Sequence, residues 1–339
     1  MPVNNEDYFQ INTDILASFP KFRLPLNLYT LKEDIGVLQI CYKKNTRMTE
    51  AQVEALAALC ADGNVFVARS DQNIYRSHML QQLDLVLLDP NLTEDETVDL
   101  CIAAAVMRYK NYYEQPVPDI LELLYRDVMV ITEYIWGDKK RIFSFMRRLF
   151  RQFKPEKHAV NTMIAGIWLW LNLQKEGTRK EFDRAVIAFV LHDIGMSKIP
   201  DFILKKRTIL NPDERDKVEQ HPLISVKILH KSELQFDELV KACFEHHERI
   251  DGSGYPQRAK GDRISFIGRL TAVADSFAAM ITERCYAKPK DLKVACSELV
   301  RDGRYDKSMT ATLAKALGPS GPFATPIDMD KHITDLIKE

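Results

Sequence analysis

Residues 246–255 read His-His-Glu-Arg-Ile-Asp-Gly-Ser-Gly-Tyr, with Pro256 next, and the pair His192-Asp193 lies upstream. Two adjacent imidazoles, a separate His-Asp pair and a glycine-rich turn are more than core packing asks for, whereas a metal asks for donors of this kind. Of the eight histidines, six fall between residues 158 and 247; five of these (His158, His192, His221, His246, His247) are read as donors, and Asp193 and Asp275 join them. The donor segments lie roughly 25–35 residues apart, which suits one ligand set per helix of a bundle, all turned toward a shared interior. The second half of the chain is therefore constrained to a helical bundle built around these side chains.

Local context agrees. His192-Asp193 ends the apolar run 185–191, so the pair should cap a buried helix. Asp275 follows Ala272-Val273-Ala274, which puts a carboxylate in an otherwise apolar helix. Burying an unpaired carboxylate is costly, and coordination to a cation removes that cost. A lone buried histidine is ordinarily a satisfied core residue, but seven donors in this arrangement reverse that reading. Seven also exceed what one ion takes from protein, so two ions sharing a bridging carboxylate are expected. Imidazole and carboxylate donors without cysteine suit Fe, Mn or Zn, and affinity order alone does not choose among them; Fe or Mn is expected, with Zn as the alternative. Two such ions, roughly 3.5–4 Å apart, are a standard device for hydrolysing phosphate esters.

With 339 residues the chain exceeds one compact domain, and its hydrophobic fraction of 46% is that of a globular protein. Net charge is −1, which gives no bulk attraction to a nucleic-acid polymer or a membrane. Cys41, Cys60, Cys101, Cys243, Cys285 and Cys296 are scattered, with no C-x-x-C pair, and read as free thiols of a reducing, cytoplasmic compartment. The first 14 residues carry acids and no apolar core, so no signal peptide is expected. The apolar stretch 164–173 is about half the roughly 18 residues that span a bilayer and reads as a buried helix.

Along the chain, residues 26–41 alternate around Gly36 and predict a hairpin. Residues 49–60 have helical spacing and stop at Gly63, and 64–68 form a short β-rich run. A small α+β regulatory or sensory module over 1–90 follows. Thr93 and Glu96 fit a capping box opening a helix through Met107. Pro116 and Pro118 separate it from a second helix, 119–136. Residues 139–154 alternate bases with aromatics, and an amphipathic helix with a solvated basic face is preferred there over a polyanion site. Asn211-Pro212-Asp213-Glu214 is a helix start. Gly252, Gly254, Pro256 and Gly261 mark a long loop. The fold class is therefore mainly α: linking helices over 91–150 and an all-helical bundle over 151–325, preceded by the α+β module.

Six pieces of the second half, LHDIG (191–195), IPDFILKK (199–206), EQHP (219–222), HHERIDGSGYP (246–256), KGDRI (260–264) and AVADSFAAM (272–280), together resemble an HD-GYP domain, a branch of the HD metal-dependent phosphohydrolases. The resemblance spans about residues 150–320. It implies an HD-type bundle that hydrolyses cyclic di-GMP to pGpG or GMP, with a metal-bound hydroxide as the nucleophile. It implies that His158, His192, Asp193 and Asp275 hold one metal, and that Asp193, His221, His246 and His247 hold the second, so that Asp193 bridges and His192 and Asp193 are the catalytic pair. Members with a third metal carry Glu at the position of Lys154, so no third ion is expected.

Substrate-side residues implied by the resemblance are Arg284, Lys288, Lys198, Tyr255 and Arg269. Tyr255 is either a substrate group or a plug of its loop, and Arg269 either reaches the site or pairs with a carboxylate. Asp251 is read as a loop residue, and Glu248 as a cap or ion-pair partner rather than an orienter of ligand histidines. His78, His230 and His332 are assigned to the surface. The chain departs from the family at Met196, where Lys is usual, and at Arg284-Cys285-Tyr286-Ala287, where the fourth residue is usually Lys. These losses of cationic groups motivate two alternatives: a catalytically weak member that binds a cyclic dinucleotide as a receptor or scaffold, or a hydrolase of another phosphate ester. The N-terminal module also resembles a small domain found ahead of HD-GYP domains, through LNLYTL (26–31) and VFVA (65–68). Expected partners are a cyclic dinucleotide, a second copy of the chain through the linking helices, and signalling proteins.

Overall fold

The computed structural model describes residues 7–32, 36–284, 287–317 and 327–332. It divides the chain into two compact units whose boundary falls between Ala104 and Ala105, inside a helix.

In the first unit four short strands, β1 (Tyr8–Gln10), β2 (Leu28–Lys32), β3 (Val37–Tyr42) and β4 (Phe66–Ala68), form an antiparallel sheet in the order β1-β4-β2-β3. Helices α1 (Thr13–Ser18), α2 (Glu50–Ala61) and α3 (Gln72–Gln81) accompany it. Leu28 and Val67, opposite one another in the ladder, are fully buried with Leu26, Val65, Ile11 and Ile15. The expected hairpin is β2–β3, whose tip, 33–35, lies outside the described residues. Thr49 caps α2 in a reciprocal capping box with Gln52. Strand β1 and helix α1 were not visible in the sequence pattern, because three residues of strand carry too little alternation to be read.

Helix α4 (Glu94–Glu114) starts at the Thr93–Glu96 capping box and contains the boundary. In the second unit α5 (Pro118–Gly137) follows it. The stripe 139–154 is not the single amphipathic helix expected. It breaks into a 3-10 turn (Lys139–Arg141), a short helix α6 (Ile142–Met146) and extended chain. Its bases are not all solvated: Arg148 is buried and donates to the Ser144 carbonyl, and Arg151 donates to the Lys290 carbonyl. Of the stripe's aromatics, Phe145 and Phe150 are core residues, which pulls neighbouring bases inward, while Phe143 and Phe153 are exposed.

The bundle proper comprises α7 (Pro155–Leu173), α8 (Arg179–Leu191), α9 (Asp201–Leu204), α10 (Pro212–Glu219), α11 (His221–Lys231), α12 (Asp237–Glu245), α13 (Phe266–Ile281), α14 (Leu292–Arg301) and α15 (Lys307–Leu317). Helix α7 is buried nearly all round, as a central helix must be, and packs on α8 and α13. A Cβ on Gly166 would stand 2.5 Å from the Phe189 ring, so glycine there sets the close approach of α7 to α8. Helix α12 packs on α8, α11 and α13, completing the ring of helices that carries the donors. No described helix is long and apolar enough to cross a membrane.

Candidate metal centre

Each donor stands at a helix end or inside a buried helix. His158 lies in the first turn of α7, which Pro155 opens. His192 is the C-cap of α8, and Asp193 precedes the 3-10 turn Ile194–Lys198. His221 opens α11, His246 and His247 follow the last residue of α12, and Asp275 is in the middle of α13.

Tertiary structure brings all seven together in three overlapping sets: His158, His192 and Asp275; His192, Asp193 and His246; and His221, His246 and His247. Within each set the ligand atoms lie within 4.8 Å of one another. His158 Nε2 is 3.0 Å from Asp275 Oδ1, and His221 Nε2 is 3.1 Å from Asp193 Oδ1. His192 and His246 belong to two sets each, and Asp193 sits with both of them, between the outer two sets.

The backbone orients the rings. His192, His221 and His246 donate Nδ1–H to the carbonyls of Phe189, Val218 and Ala242, at 2.8, 2.6 and 3.0 Å. A carbonyl only accepts, so the proton is on Nδ1 and the Nε2 lone pair points into the cluster. Burial, reinforced by the neighbouring imidazoles, holds His246 and His247 well below the usual imidazole range, so both are neutral ligands-in-waiting. Burial also lowers His158. At His192 burial acts downward, but Asp275 and Asp193 outweigh it and leave the ring raised. Burial pushes Asp275 up, yet its bond to His158 and the His192 ring facing it hold it well below the usual carboxylate range. Cys243 lies behind the cluster. Burial pushes its thiol up, and it donates to the Leu191 carbonyl instead of serving as a thiolate.

The donor set fits divalent cations. His158 Nδ1, His192 Nε2 and Asp193 Oδ1 are buried without a hydrogen-bond partner, an arrangement that leaves polar groups uncompensated unless a cation engages them.

Around the donors, Tyr255 stacks on His247. Its loop is held by Glu248, whose buried carboxylate accepts from the backbone N–H of Gln257 at 2.6 Å and of Ala259 at 2.9 Å. Glu248 is thus neither the cap or ion-pair partner expected nor an orienter of ligand rings; it ties the loop to the end of α12. Asp251 accepts from Ser253 within the loop. A Cβ on Gly254 would lie 2.3 Å from the His247 carbonyl, so glycine lets the loop fold back on the ligands.

Arg284 lies over the Phe153 ring, 3.8 Å from its centroid, and its charge helps lower His158. Residues 285–286, part of the stretch that departs from the family, lie outside the described residues. Arg269 ion-pairs with Asp262 and Asp306, at 3.3 and 3.5 Å. Lys198 and Lys288 are exposed. His230 and His332 are exposed, and His78 is half-buried: it stacks on Phe19 at 3.7 Å and shares a hydrogen bond with Ser18.

The sequence pattern missed Tyr109 and Tyr113. Both lie on α4 within electrostatic reach of Asp193, and burial followed by that carboxylate pushes their phenols up. Their four-residue spacing was the available signal, but it is also ordinary helix-core spacing.

Residues 152–309 match the HD domain family. Over 135 residues the chain is 42% identical to a cyclic di-GMP phosphodiesterase of Thermotoga maritima, covering 39% of this chain and 37% of the relative. Over 127 residues it is 38% identical to the 3'3'-cGAMP-specific phosphodiesterase 2 of Vibrio cholerae, covering 37% of this chain and 24% of that protein. The chain thus matches well under half the length of these relatives. A solved structure from Bdellovibrio bacteriovorus, described as an HDG"Y"P protein, shares the fold: TM-score 0.58 at 14% identity, covering 91% of this chain and 98% of that one.

Proposed function

We infer that this chain, whose residues 152–309 match the HD domain family, is an HD-GYP-type metal-dependent phosphodiesterase that opens a cyclic dinucleotide. The observation that carries this reading is the single chain of donor sets linked through His192, Asp193 and His246. Two sets joined by a shared carboxylate suit a pair of cations better than one. His158, His192 and Asp275 would hold one ion, His221, His246 and His247 the other, and Asp193 both. Donors of this type suit iron or manganese, with zinc next. The bound pair would supply an activated water and neutralise charge on the phosphoryl oxygens.

The chain's own residues would do the rest. Arg284, steadied on the Phe153 ring, offers a planar guanidinium to a non-bridging phosphate oxygen. Burial holds the Tyr255 phenol neutral, so it acts as a hydrogen-bond donor at the edge of the site. Asp275 keeps His158 and His192 turned inward. Arg269, engaged by two carboxylates, supports the loop before α13 and is not needed at the phosphate. Cyclic di-GMP is the first substrate of this reading. The likeness to a 3'3'-cGAMP-specific enzyme makes cyclic GMP-AMP the second. Cytoplasmic residence and pairing of two chains along α4 and α5, where Leu123 and Tyr125 are exposed, belong to the same reading.

The test is hydrolysis of both dinucleotides by protein purified without oxygen and loaded with iron or manganese, with metal counted per chain. Two equivalents and turnover abolished by His192→Ala and Asp193→Ala are expected. Two bound metals with tight dinucleotide binding and no turnover would replace the enzyme by a receptor. Metal-loaded protein inert toward both dinucleotides but active on another phosphate ester would redirect the substrate.

A further inference from the structure

The first unit contains a cleft of about 620 Å³ that shares no residue with the metal centre. That volume lies within the roughly 300–1,000 Å³ typical of small-molecule sites. Strands β1 and β4 supply Tyr8 and Phe66, and α3 supplies Tyr75 and Arg76. Arg69, which is exposed, and Asn91 also line the cleft.

The polar groups of the cleft are unevenly used. Its carboxylates are spent on protein donors. Asp89 accepts from the Tyr75 hydroxyl and from Asn91, and Glu96 accepts from Arg76, Gln72 and Thr93. The cationic side has N–H groups to spare. Arg76 gives one guanidinium nitrogen to Glu96, but its Nε is buried with no hydrogen-bond partner. Arg69 makes no ion pair among the described residues. Donors left over beside aromatic faces match a flat apolar body that carries an acceptor charge.

We propose that this cleft binds a small planar anion, an aromatic or heterocyclic ring system bearing one carboxylate, phosphate or sulfonate, with the ring against Tyr8 and Phe66 and the anionic group on Arg69 and Arg76. The site is independent of the catalytic reading, since none of its residues is a metal donor.

The test uses the full chain and two fluorescent probes with nearly the same ring body: 1-anilinonaphthalene-8-sulfonate, and N-phenyl-1-naphthylamine, which lacks the sulfonate. The sulfonate probe should bind saturably at one site. Arg69→Gln and Arg76→Gln should each weaken it roughly tenfold, the loss expected for one charge-assisted contact, and leave the neutral probe unchanged. Arg69 is exposed, so Arg69→Gln tests the site without disturbing the fold, and circular dichroism checks Arg76→Gln. Equal sulfonate affinity in both variants and the parent chain, or equal affinity of the two probes, would overturn the proposal. Binding elsewhere, including the metal centre, gives the first of these results.

Discussion

The ring of Tyr255 lies stacked on that of His247, with centroids 4.7 Å apart and planes 25° from parallel. A loop residue therefore buttresses a candidate ligand. An aromatic pair contributes about 0.5–1.5 kcal/mol beyond burial, so Tyr255→Ala should raise the dissociation constant of one metal up to about tenfold. Tyr255→Phe keeps the stack and should keep the metal, while turnover falls. Metal titration with both variants checks this, and Tyr255→Ala that binds both metals as tightly as the parent chain would rule it out.

Gly195 packs against the start of α11, which carries His221. Its N–H donates to Ser225 Oγ at 2.8 Å, and a Cβ there would stand 2.1 Å from the His221 carbonyl. The neighbour is backbone and cannot swing away. Gly195→Ala should cost about 3 kcal/mol and displace His221 from its set. Chemical denaturation and metal content should both change; an unaltered denaturation midpoint would contradict the packing argument.

Glu248 is tested through stability rather than ligation. Its removal leaves two backbone N–H groups without acceptors, each worth about 1–3 kcal/mol, so Glu248→Ala should destabilise by about 2–6 kcal/mol. Glu248→Gln keeps one acceptor oxygen and should lose roughly half as much. Urea unfolding measures both. Loss of metal without loss of stability would show instead that the carboxylate serves the ions directly.

His78 makes the first unit sensitive to acid. Burial lowers its pKa from the ordinary 6.5, so the unfolded chain takes up the proton first. Stability is fully present above pH 6.5, begins to fall as pH drops below that value, and stops falling once pH passes the folded value. His78→Phe should preserve the stack on Phe19 and flatten this part of the profile. Melting temperature followed between pH 7.5 and pH 5 tests it; identical slopes in both proteins would remove His78 as the cause.

Much of the site was legible before any coordinates. His158, His192, Asp193, His221, His246, His247 and Asp275 stood out because packing has no use for so many donors in apolar helices. Thr93 and Asn211 announced helix starts because a cap bonds to backbone only three residues away. The stripe 139–154 misled because alternation of bases and aromatics says nothing about which side faces the core, and Arg148 and Arg151 turned inward.

The chain's order of residues by itself determined the donor types, the helical frame and the glycine-rich loop, all of which follow from short-range chemistry. Only the tertiary structure decided that Asp193 lies between the outer donor sets and that Glu248 binds its loop rather than a ligand ring. The physical reason is range. His158 and Asp275 meet across 117 residues, and which groups face each other at such separations is set by the joint packing of α7, α8, α12 and α13, not by any neighbour in sequence.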